Sequence, residues 1–161
     1  MLEQLLLTVL MTSVPLIFAA TGELVAERSG VLNLGVEGMM LMGAVAAFAT
    51  AFGTGNIWIA IIVGGLAGAL TGGVFALFAL GFATNQVATG LALTIFGTGL
   101  SGLVGAPLVG HAIDGLPQIT IPVLSNLPFV GALLFSLDPM AYLAVALLAG
   151  VAWFLLSLIH I

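Results

Sequence analysis

Four of the chain's seven charged side chains, Glu23, Glu27, Arg28 and Glu37, fall within the stretch GELVAERSGVLNLGVEGMM, residues 22–40. Carboxylates and an asparagine, Asn33, set beside backbone interrupted by Gly30, Gly35 and Gly38 make a donor and acceptor set able to hold a polar solute. Elsewhere the chain offers little for chemistry. His111 and Asp114 are three residues apart, but Gly110, Gly115 and Pro117 argue for a loop carrying a solvated pair. No HExxH, GxSxG or paired intramembrane aspartates occur, so nothing supports an enzyme. Met39, Met40 and Met42 have no His or Cys beside them and read as adaptable packing, so no metal and no cofactor is assigned.

The frame around these residues is set by composition. Of 161 residues, 62% are hydrophobic and 4% charged, and the mean hydropathy is +1.38. Soluble domains carry about 25% charged residues, so the partner of this surface must be the lipid bilayer. The net charge of −5 comes from dispersed carboxylates. With a single Arg and no Lys cluster, nucleic acid is excluded as a partner. The absence of cysteine rules out disulfides and thiolate sites. The opening MLEQLLLTVLMTSVPLIFAATGE lacks a positive n-region and exceeds the usual apolar run of about 7–15 residues in a signal peptide, so it reads as a retained span.

A helix needs about 20 residues to cross the hydrocarbon core. Five stretches qualify: Leu2 to Thr21, with a kink expected at Pro15; Glu37 to Phe52, short unless the glycine-rich segment before it also enters the membrane; Ile57 to Leu80; Asn85 to Val104; and Pro139 to the C-terminus. The links Gly53–Asn56 and Gly81–Thr84 admit only tight turns, which predicts that spans two, three and four are antiparallel neighbours. Five of six prolines lie between Pro107 and Pro139 and preclude a continuous helix there. The pieces ITIPVL and FVGALLF within that region could dip into the interface. Asp138-Pro139 supplies an N-cap and a first helical position for the last span. The fold expected is an all-α polytopic transmembrane bundle of about five spans, one domain over residues 1–161, with a broken or re-entrant segment near residues 29–38.

Small residues recur at helical spacing. Gly64, Gly68 and Gly72 share one face of span three, and Gly65, Ala69 and Gly73 repeat the spacing beside them. Gly97, Ser101 and Gly105 offer a similar face on span four. Such faces let backbones approach closely where no hydrophobic effect drives association. They predict tight helix packing and contact with another subunit.

A charge at the bilayer centre costs about 2.5–3.5 kcal/mol on insertion scales, so the four charges of residues 22–40 cannot face lipid. Two arrangements satisfy this: a loop at the aqueous face, or a wet cavity within protein. Glycine costs about 1 kcal/mol in a helix, so SGVLNLGVEG resists regular helix, yet it is too apolar for an ordinary water-facing loop. Irregular backbone at membrane depth survives only when buried in protein or lining an aqueous cavity.

The residues themselves are familiar. ERSGVLNLGVEGMMLMGA resembles the N-terminal signature of permease subunits of ATP-binding cassette importers, in the branch carrying nucleosides and simple sugars, within the family that includes ribose and branched-chain amino acid permeases. ATNQVATGLALTIFGTGL and IPVLSNLPFVGALLFSLDPMAYLAVAL resemble later blocks of the same branch, in the same order. The resemblance implies a translocation path for nucleosides or related sugars, with branched-chain amino acids or other small solutes as the alternative. It implies three partners: a second permease subunit, a cytoplasmic ATP-binding subunit where ATP is hydrolysed, and an extracytoplasmic solute-binding lipoprotein. It places Asn33 and Glu37 in or near the path, with Asn85 and Gln86 as further candidates that could equally cap a helix. A basic docking loop and further spans are expected after span five, so the chain reads as the N-terminal part of a longer permease, ending irregularly after Leu156.

Arg28 is the sole basic side chain, and the positive-inside rule assigns it to the cytoplasm. Alternation then puts the N-terminus, the Gly53–Asn56 turn and the proline-rich region outside and the C-terminus inside. The expected location is the plasma or inner membrane, as a multi-pass protein. A non-transporting assembly subunit is the competing class, because glycine faces alone would serve it.

Overall fold

The computed structural model describes residues 1–117 and 137–159. Five long helices appear: α1 (Leu2–Arg28), α2 (Val36–Thr54), α3 (Ile57–Ala76), α4 (Gln86–Gly105) and α5 (Pro139–Ile159). Each is long and apolar enough to cross a membrane. Among the described residues there is no strand. The pieces ITIPVL and FVGALLF lie outside the described residues.

The spans solve the problem of polar side chains in lipid in a uniform way. Thr8, Thr12, Ser13, Thr21, Thr50, Thr54, Thr71 and Thr98 each donate the hydroxyl to the carbonyl one turn back in their own helix, at 2.5–2.9 Å. With every such hydroxyl satisfied internally, none demands water. The boundary chemistry is equally regular. Asn56 caps α3 by accepting from the N–H groups of Trp58 and Ile59 at 3.0 and 3.3 Å. Asp138 caps α5 by accepting from Ala141 N–H at 2.7 Å.

The described structure divides into two compact units. The first combines residues 1–25 with the described residues from 116 onward. Its core packs Val14, Ile17 and Phe18 of α1 against Ala141, Ala144 and Met140 of α5. Here α1 differs from its expected bounds. It runs through Pro15 and past Thr21 to Arg28, so Glu23, Glu27 and Arg28 lie on its final turns and not in a loop. The physical reason is that neither glycine nor proline stands between Glu23 and Ser29, so the stop comes only at Gly30.

The second unit, residues 26–115, is built around α2. Helix α3 lies antiparallel to it: Met39 meets Gly68 and Gly72, and Gly43 and Ala47 meet Gly64. Helix α4 lies on α2 as well, but parallel: Gly38 meets Leu93, Thr94 and Gly97, and Val45 meets Gly105. The expected antiparallel succession of the three spans holds in direction, with α3 opposed to both α2 and α4, but the expected close packing of α4 on α3 is corrected. Helices α3 and α4 touch each other little, because both press their smallest residues onto α2. Span three also differs from a plain helix to Leu80. It stops at Ala76 and continues as a π-helical turn, Leu77–Gly81, in which Phe82 N–H reaches the Leu77 carbonyl at 3.0 Å. The wider turn and a left-handed Ala83 (φ 51°) reverse the chain within a few residues, and Thr84 N–H and hydroxyl both bond the Phe78 carbonyl.

Candidate functional site

The chain between α1 and α2 is where charge, glycine and polar groups meet. Helix α1 closes on a two-bond reversal: Val31 N–H donates to the Ala26 carbonyl and Gly30 N–H to the Glu27 carbonyl, both at 3.0 Å. Gly30 sits at φ +84°, the left-handed position that this helix ending requires. Gly30→Ala is expected to lower the stability of the protein by about 1 kcal/mol, read as a drop in thermal unfolding temperature, although open space surrounds that position.

From Val31 to Gly35 the backbone is neither helix nor strand. Its polar groups find partners one by one. Leu32 N–H donates to Gln86 Oε1 at 2.8 Å. The Leu34 carbonyl accepts from the Thr94 hydroxyl at 2.9 Å. Gly35 N–H donates to Asn33 Oδ1 at 2.9 Å, and its carbonyl accepts from Met39 N–H at 3.1 Å, which opens α2. Asn33 Nδ2 lies 3.6 Å from Met39 Sδ. Val31 and Met39 pack on a small core of Phe75, Ala79 and Leu93.

Glycine makes this approach possible. A Cβ at Gly90 would stand 2.8 and 2.9 Å from the backbone nitrogens of Leu34 and Gly35. One at Gly38 would stand 2.6 Å from the Leu93 carbonyl oxygen, and one at Gly97 would stand 2.6 Å from Gly38 Cα. Real Cβ contacts do not come so near. The face Gln86–Gly90–Thr94–Gly97 of α4 is thus a track: two bare glycines receive backbone, and two polar side chains bond it.

The track also gives the segment its depth. With α4 and its 3-10 extension running from Gln86 to Leu108, 23 residues, the span is about 34 Å long. Gly38 lies abreast of Leu93 and Thr94, about 12 Å along that axis from Gln86. The irregular backbone therefore runs beside the first turns of a membrane span.

The four polar candidates from the sequence occupy different positions. Glu37 is exposed on the first turn of α2, where the helix dipole favours a carboxylate. Asn33 is half-buried and turned back on its own segment. Asn85 caps α4, accepting from Ala88 N–H at 3.0 Å. Gln86 is half-buried against Leu32. Sequence reasoning missed Gly90 and Thr94, although Gly90, Thr94 and Gly97 recur at helical spacing, the signal used for span three. A groove of 340 Å³ separates α3 from α4, walled by Phe75, Phe78 and Phe96 and edged by the hydrogen-bonded hydroxyls of Thr84 and Thr89, 2.8 Å apart. Among the described residues no group of His, Asp and Glu is placed to hold a metal ion.

Comparison with known proteins gives this arrangement a context. The chain is 43% identical over 145 residues to a putative glucose ABC transporter permease of Haloferax volcanii, covering 88% of this chain and 44% of that protein. It is 32% identical over 159 residues to a guanosine ABC transporter permease of Bacillus subtilis, covering 91% of this chain and 50% of the relative. A nucleoside ABC transporter permease of Lactococcus lactis is 28% identical over 165 residues, covering 96% and 52%. The chain spans about half the length of these relatives. No solved structure matches it. The family described as branched-chain amino acid transport system / permease component matches residues 5–157. Five membrane-crossing helices and a match over nearly the whole chain establish a multi-pass protein of the plasma membrane that belongs to this permease family of ATP-binding cassette transporters.

Proposed function

We propose that this chain forms part of the path by which an ATP-driven importer moves nucleosides or related simple sugars, with Glu37 and Asn33 beside the passage. One observation carries the reading: Glu37 is exposed although it adjoins Gly38, about 12 Å along the axis of span α4. A carboxylate there cannot face hydrocarbon without a cost of about 2.5–3.5 kcal/mol, so it faces water or polar solute. Asn33 shapes the same segment, and its amide is the nearest side-chain polar group along the chain. Asn85 and Gln86 are occupied as a helix cap and a backbone partner, which supports giving Glu37 the leading role.

The partners follow from the family. A second permease subunit would complete the passage, a solute-binding lipoprotein would deliver to it from outside, and a cytoplasmic subunit would hydrolyse ATP and drive alternation through its differential affinity for the two states. The end carrying Arg28 and the α3–α4 link would be cytoplasmic. Nucleosides and sugars share hydroxyl-rich, uncharged chemistry, which suits neutral donors and acceptors near one carboxylate better than it suits a charged amino acid.

The test is uptake by the complete gene product reconstituted with these partners. Glu37→Ala and Asn33→Ala are expected to lower ATP-dependent uptake of guanosine or glucose about tenfold, the loss of about one charge-assisted hydrogen bond. ATP hydrolysis without solute should stay at its original rate. Unchanged uptake in both variants would sink the solute-path reading.

A further inference from the structure

Thr94 departs from the pattern that most hydroxyls of the spans follow. Where Thr71 and Thr98 bond the carbonyl one turn back, Thr94 leaves its own helix and bonds the Leu34 carbonyl. Gln86, two turns earlier on the same face, reaches the Leu32 N–H. The two contacts bracket Asn33 on either side, and both go to main chain. Between them Gly90 brings α4 close enough that no side chain could intervene.

We infer that Gln86 and Thr94 are positioning residues which fix the broken segment to α4 through its backbone, and so hold Asn33 and Glu37 at their place beside the passage. The chemistry is specific. Leu32 offers a donor and Leu34 an acceptor, and α4 presents one acceptor and one donor, eight residues apart on one face. Neither bond depends on the side chains of the segment, so the segment's sequence can vary while its path is held. The two braces also couple the segment to α4.

The inference is separable from the solute-path reading that it rests on. The experiment is hydrogen–deuterium exchange of the peptide spanning residues 29–36, in the complete gene product with its partner subunits in bilayer nanodiscs. Gln86→Met and Thr94→Val keep shape and remove the bonding atom. Each is expected to speed exchange of this peptide about tenfold, as one bond that must break on local opening is deleted. Amides in the middle of α2 and α3 should be unaffected. Gln86→Glu and Thr94→Ser restore the acceptor and the donor, and should exchange within about twofold of the original protein. In uptake assays the unbraced variants should lose maximal rate more than half-saturation. Exchange of the Gln86→Met/Thr94→Val double variant within twofold of the original, or a Thr94→Ser as fast as Thr94→Val, would overturn the inference. If exchange responds as expected while uptake by Glu37→Ala and Asn33→Ala is unchanged, the braces stand and the solute-path assignment alone falls.

Discussion

Gly97→Val should separate α2 from α4 and destabilise the second unit by about 3 kcal/mol, the upper end of what overpacking commonly costs. Even a single methyl at this position would lie 2.6 Å from Gly38 Cα and 2.7 Å from the Gly38 carbonyl oxygen. Those neighbours are main chain on a helix that is itself pinned by α3, so no side chain can swing away to make room. The helices must part, and parting stretches the Leu32–Gln86 and Leu34–Thr94 hydrogen bonds 2.8 and 2.9 Å long. Gly38→Ala should behave alike, because its new methyl would meet the Leu93 carbonyl oxygen at 2.6 Å. Gly99→Val on the same helix is the control, since nothing lies within 4 Å of that position. Thermal unfolding in detergent measures the difference. Equal melting temperatures for the Gly97 and Gly99 variants would mean that α2 and α4 are not in backbone contact.

That contact shows where a single sequence is informative and where it stops. Hydropathy locates five spans, because twenty apolar residues have few other uses. The broken segment is legible for the same reason: Gly30 and Gly35 deny helix to a stretch too apolar to be a loop. Partners are another matter. Helical spacing says that Gly64, Gly68 and Gly72 share a face, but not what the face meets, and it gave Gly65, Ala69 and Gly73 equal weight. The structure distinguishes them by geometry. Gly64 and Gly43 interlock, a Cβ at Gly68 or Gly72 would come to 3.6 Å from Met39, and one at Gly65 or Gly73 would meet nothing within 4 Å. The parallel α2–α4 pairing was hidden as well. Short links imply that consecutive helices are adjacent, yet α2, with Gly38 and Gly43 on different sides, can accept two glycine faces and leave α3 and α4 apart. Gln86 illustrates the limit most sharply. A glutamine at the start of a span reads as a cap or a solute ligand, and its use as a backbone partner for a residue 54 positions earlier has no local signature.

The architecture also suggests how rigidity is distributed in a transporter of this kind. Helices α2 and α4, with the broken segment, share backbone contact and polar braces. The C-terminal end of α3 is different: it has looser contacts at Gly68 and Gly72, a π-helical turn, and the 340 Å³ groove between it and α4. Packed backbone transmits displacement, whereas a groove absorbs it. In the proposed path Glu37 and Asn33 would lie on the tighter pair, which would hold them in place while the surrounding helices rearrange.

The two faces of α3 make the sharpest comparison within one helix. Gly64→Leu is expected to cost about 3 kcal/mol or more, because its Cβ would stand 2.8 Å from Ala47 Cβ and 2.9 Å from the Gly43 carbonyl oxygen, before the rest of the side chain is placed. Gly65→Leu, one residue on, points where nothing lies within 4 Å. It should leave folding of the chain unchanged or improve it by up to about 1 kcal/mol, the helix penalty of glycine that leucine removes. Measured together, thermal unfolding and copurification of the proposed second permease subunit separate two uses of glycine. If Gly65→Leu folds as well as the original but no longer copurifies, the outer row of Gly65, Ala69 and Gly73 is the face that the other subunit covers. If it folds and copurifies, that subunit does not cover the row. If it unfolds as readily as Gly64→Leu, the rotation of α3 against α2 described above is wrong, and the contacts of Gly64 with Gly43 and Ala47 fall with it.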